Sequence, residues 1–228
     1  MRLKLGKKPT LVVHYARILA ENDSFCKSNS DAREASTELM NLMDEAKLYT
    51  MWENNVLPSE FGKTVSASAM ATYLSFIFRP LAFGVHLDFL AGNVVAVFMQ
   101  LRTLLEQLAK CYQADTLPEA SEETFFQNRL LIVEKMQRTS LETVKTLGAG
   151  SEELWRNLSN QWVHMRGMKK LVSTVIEDGV PGHTNIIPVA YGAEDLSIIR
   201  EISQDVKHFR ILMSSTLDKW QATYRMKV

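Results

Sequence analysis

The chain has 228 residues, enough to bury a sizeable core as one domain. Its 26 basic and 26 acidic side chains cancel, which excludes the overall positive field of a dedicated DNA binder and leaves room only for a local basic patch. Two distant cysteines, Cys26 and Cys111, make neither a disulfide framework nor a zinc site, so a reducing compartment is expected.

The amino end is basic, but its apolar run is soon interrupted by His14 and Arg17, unlike an export signal. A cytoplasmic protein is the expectation. Helical spacing of apolar residues then recurs along the chain, with almost no two-residue alternation. The first helix is expected over 10–20, with the polar stretch 21–30 separating it from a second. That second helix opens at Ser30 or Asp31 and repeats Ala35, Leu39, Leu42, Met43 and Ala46. Pro58 and Gly62 mark a loop over 54–63. A third helix over 64–78 should stop before Pro80. At roughly 15 residues it is shorter than the about 20 that a membrane span needs, so a buried helix is expected there and no membrane partner.

The fourth helix, over 86–113, carries Leu90, Val94, Val97, Phe98, Leu101, Leu105, Leu108 and Tyr112 on one face, with Gly92 inside it. A loop with Pro118 follows, then a helix over 121–137. Thr139 and Glu142 form a capping box for a short helix that Gly148 terminates. Ser151 can cap the next, which has Leu154, Leu158, Trp162 and Met165 on one stripe and ends near Gly167. The Gly- and Pro-containing stretch 179–192 is irregular, locally extended near 186–191, and is the candidate lid. A long last helix over 194–225 repeats Ile199, Ile202, Val206, Phe209, Met213, Leu217, Trp220 and Tyr224. The expected class is all-α: a helical bundle with a long C-terminal helix and one irregular loop. We expect a single domain over 1–228, with 1–63 as an N-terminal helical arm and 64–228 as the main bundle.

Phosphate-binding, dinucleotide, nucleophile-elbow and zinc-protease motifs are absent from the sequence. A di-iron bundle would need two inward Glu-x-x-His pairs. The nearest match is Asp205 with His208, expected to face water, so no metal and no cofactor are expected. The eleven Met residues read as core filler, as does Cys111.

Two constellations carry candidate chemistry. Arg156, Asn160 and His164 drift by only about 40° per step on one helix face, opposite Leu154 and Leu158. The guanidinium could bind phosphate and the imidazole could move protons. Arg166, Lys169 and Lys170 follow directly and would add positive charge for a nucleic-acid backbone. The same spacing also arises wherever an amphipathic helix turns a polar face to water. Arg102 and Glu106 lie one turn apart beside an apolar face, where a buried pair would need partners from other helices.

The segment 100–109, QLRTLLEQLA, followed by 155–164, WRNLSNQWVH, resembles HEPN-like helical proteins over roughly residues 86–220. In that family a helix with an Arg-x-x-x-Glu signature packs in a bundle, and a later helix carries a Leu-Ser-x-x-x-His type motif. Active members look like metal-independent ribonucleases whose motifs meet at a dimer cleft. The resemblance implies Arg156 as phosphate-stabilising group, Asn157 as the following polar residue and His164 as proton carrier. The spacing from Arg156 to His164 is wider than in the family pattern.

Two functions are therefore expected, a helical interaction or regulatory module that forms a homodimer, and an RNA-cleaving toxin or defence enzyme. A third reading, a small-ligand binder around Arg102 and Glu106, stands beside them. RNA is the macromolecular partner only in the second, and specific DNA binding in none.

Overall fold

The computed structural model describes residues 11–56, 68–118, 125–136, 139–160 and 190–225, and among them every regular element is a helix. The order is α1 (Leu11–Ser28), α2 (Ser30–Val56), α3 (Ala69–Leu90), α4 (Val94–Thr116), α5 (Phe126–Met136), α6 (Ser140–Lys145), α7 (Ser151–Asn160) and α8 (Leu196–Arg225), the last entered through a 3-10 turn, Ala193–Asp195. The all-α class and the long C-terminal helix are as expected. Several expected features lie outside the described residues: the loop from 57, the start of the helix at 121, Trp162, Met165, Gly167 and the irregular stretch up to 189.

α1 runs through the polar stretch because Asn22 and Cys26 follow Ile18 at one-turn intervals and all three are buried. The break narrows to Asn29, whose Oδ1 accepts from the amides of Asp31 (3.0 Å) and Ala32 (3.4 Å) and so caps α2. The inward stripe of α2, Ala32, Ala35, Leu39, Leu42 and Ala46, is fully buried, and its small residues let α8 approach closely. Arg210 of α8 clamps this interface by binding Glu38 and Glu45 of α2.

Two boundaries differ from expectation. Pro80 does not end α3. The preceding turn, Tyr73–Phe78, widens to π geometry, which makes room for the ring and removes the need for the missing proline N–H. Conversely, the helix expected to run on through Gly92 breaks there. Gly92 adopts φ +69° and Asn93 caps α4 through the Ala96 amide, so the chain turns back and α3 packs against α4. With its full 22 residues and a mean hydropathy of 1.2, α3 is long and apolar enough by composition to cross a bilayer. Its inner face, including Tyr73, Leu74, Phe78 and Phe89, belongs to the core.

α4 is the axis, touched by α3, α5, α6, α7 and α8, and its buried arc is accordingly wider than one stripe. Asp115, expected in a loop, is its deeply buried last-turn carboxylate. It accepts hydrogen bonds from Ser68 Oγ (2.7 Å), the Ala69 and Met70 amides (2.9 and 3.0 Å), Arg129 Nη1 (3.1 Å) and Trp220 Nε1 (3.0 Å). The Thr139–Glu142 capping box forms as expected. Met70 and Met213 fill the core, whereas Met40, Met99 and Met136 are exposed.

Candidate functional site

α7 begins after two left-handed glycines, Gly148 (φ +110°) and Gly150 (φ +84°), and Gly150 supplies the first carbonyl to the Leu154 amide. Leu154 and Leu158 anchor the helix in the core. Arg156 is exposed on the opposite side, as its helical angle requires. Its Nε and Nη2 donate to Glu152 Oε1 at 2.9 and 2.7 Å, while Lys145 reaches the other carboxylate oxygen at 3.1 Å. Hydrogen bonds from Arg156 and then Lys145 hold the Glu152 carboxyl below its ordinary range. A phosphate would have to compete with Glu152 for this guanidinium.

Asn157 turns another way. It is half-buried against α8, where its side chain hydrogen-bonds Asp205. Asp205 is only 8% exposed, which corrects the expectation that it faces water. Burial pushes its carboxyl up to about 7; the Asn157 hydrogen bond opposes this and the charges of Glu201 and Glu153 add to it. The signal was present: Asp205 stands only about 40° around α8 from Phe209, at the edge of the apolar stripe. Its neighbour His208 closes against Gly150, where an added Cβ would stand 2.5 Å from Nε2. Among the described residues no group of three or more His, Cys, Asp or Glu is arranged to hold a metal.

The Arg102–Glu106 pair meets α7. Arg102 Nε donates to Glu106 Oε1 at 2.9 Å, the Trp155 indole Nε1 donates to that same oxygen at 2.8 Å, and the Arg102 guanidinium lies 5.0 Å over the Trp155 ring. One turn on, the fully buried Ser159 hydroxyl makes no hydrogen bond among the described residues. Trp155 was not singled out in the sequence, because an indole beside an apolar stripe has no distinctive spacing. Asn160 closes α7, and its side chain, like His164, Arg166, Lys169 and Lys170, lies outside the described residues.

The arrangement is a helical bundle whose seventh helix is tied to α4 by an Arg–Glu–Trp cluster and to α8 by an Asn–Asp bond. No family model, curated protein or solved structure matches the chain.

Proposed function

We propose that the chain is a helical interaction module that pairs with a second copy through the outer face of α3. The observation that carries this reading is an uncovered apolar seam. Phe76, Phe83 and Leu87 are 63, 43 and 59% exposed, and Phe83 and Leu87 stand one turn apart, only about 40° around the α-helical part of α3. Exposed Pro80 lies between them, and Met99 of the adjoining α4 is exposed as well. The seam extends along about 16 Å of helix at 1.5 Å per residue. Of the charged residues of α3, Arg79 has no acid bonded to it among the described residues, and Asp88 is engaged by Asn93 and Gln100. An apolar, nearly uncharged partner suits such a surface, and the same seam on a second copy offers that in an isologous pair. Sedimentation equilibrium should show a dimer for the native chain and a monomer for the Phe83→Glu, Leu87→Glu double variant, with the helical circular-dichroism spectrum retained. A native monomer at micromolar concentration would remove this reading.

The ribonuclease reading retains one supporting observation. The Arg-x-x-x-Glu segment and the later Trp-Arg-Asn segment, which carry the HEPN-like resemblance, touch each other through Glu106 and Trp155. In it Arg156 would stabilise phosphate charge and His164 would transfer the proton of a 2′-hydroxyl. Cleavage of mixed RNA in EDTA, abolished in His164→Ala with the fold intact, is the expected result. Equal activity in the variant would reject the assignment.

A further inference from the structure

A cavity of about 410 Å³ opens between α1, α2 and α3, on residues that take no part in the α3 seam or the α7 site. That size suits a small organic molecule. Its walls are tied together. Asn22 of α1 donates to the Leu90 carbonyl of α3 at 2.7 Å and accepts from the Tyr191 amide at 2.7 Å, while the Tyr191 hydroxyl donates to the Phe89 carbonyl at 2.6 Å. The Asn29 cap fixes the corner between α1 and α2. The cleft therefore exists before any ligand arrives, and binding needs little ordering.

Its lining divides by chemistry. Cys26, Met40 and Leu90 supply apolar surface. Burial and the charge of Asp23 push the Cys26 thiol up to about 11, so it is a neutral wall and no nucleophile. At the mouth Lys27 is neutralised by Asp23 at 2.5 Å. Arg33 donates to the Lys27 carbonyl, and no carboxylate pairs with it among the described residues. The cleft thus carries one uncompensated positive charge, on a group with further N–H donors to spend. Burial lowers the His86 pKa below its ordinary 6.5, so the ring is neutral at pH 7, and neither it nor the Ser36 hydroxyl has a hydrogen-bond partner among the described residues.

We propose that this cleft binds a small monocarboxylate with an apolar body, its acid group on Arg33 and its hydrocarbon against Met40, Leu90 and Cys26. A cation would meet Arg33 unfavourably. A short acid without a hydrocarbon body would leave the apolar wall wet.

Calorimetric titration of the full chain at pH 7.5 tests this with three probes: octanoate, octylamine and acetate. Octanoate should bind saturably at one site, octylamine and acetate should not. Arg33→Glu should weaken octanoate at least about tenfold, and Met40→Trp, which fills the cleft from an exposed position, should abolish binding. Both variants alter exposed residues, and thermal melts confirm that they fold. Arg200→Glu, on the far side of Asp31, should bind as the native chain does. Absence of saturable octanoate binding at millimolar concentration overturns the proposal. So does equal binding of octylamine or acetate, or octanoate binding unchanged in both cleft variants.

Discussion

Asp205 is a carboxyl whose protonation is coupled to the docking of α7 on α8. Glu153 and Asn157 face it from α7 and Glu201 from its own helix, so no cation among these offsets its charge. The folded chain keeps the proton up to about pH 7, whereas the unfolded chain releases it near 3.8. Between those values the native state binds more protons, so stability falls as pH rises and levels off above about 7. Asp205→Asn keeps a hydrogen-bonding partner for Asn157 without the charge. Urea denaturation should show the variant equal to the native chain near pH 4 and more stable by roughly 2–4 kcal/mol at pH 8. Parallel pH profiles for the two would exclude Asp205 as the titrating group. The Arg156–Glu152 pair is different in kind: both groups are exposed on one helix, and such pairs contribute little.

At the level of elements, one carboxylate assembles three helices on α4. Asp115 satisfies the first amides of α3, holds Arg129 of α5 and accepts from Trp220 of α8. Removing it takes the carboxylate away from the largely buried Arg129 guanidinium and leaves the Ala69 and Met70 amides without this acceptor. Asp115→Ala should therefore cost about 3–5 kcal/mol in urea denaturation, while Asp115→Asn, which keeps an acceptor oxygen, should cost less. Equal losses for the two would point to the lost charge rather than to the lost acceptor or packing. Local signals were legible where the chemistry is local. Thr139 and Glu142 are both cap and box within one turn, and the sequence shows them directly. Pro80 and Gly92 misled because their effect depends on neighbours. A wide turn absorbs the proline, and the glycine's left-handed φ is used because the chain must turn there for α3 to pack against α4.

Across the whole molecule, a pair formed through the α3 seam would bury Phe76, Phe83 and Leu87, and the melting temperature would then rise with protein concentration. Dilution that leaves the melting temperature unmoved would argue for a monomer. The sequence by itself determined the helical class, most helix positions and the apolar stripes of α2, α4 and α8, since 3.6-residue periodicity and capping chemistry are local in the chain. It also brought Arg102 and Glu106 forward as a pair in want of a partner. Only the tertiary structure decided that the partner is Trp155, that Asp205 and Asp115 are buried, and that α1, α2 and α3 leave a cleft at Arg33 and His86. Those outcomes depend on which helices meet and at what height. Burial and electrostatic environment arise from residues distant in the chain, and no spacing rule within one helix contains them.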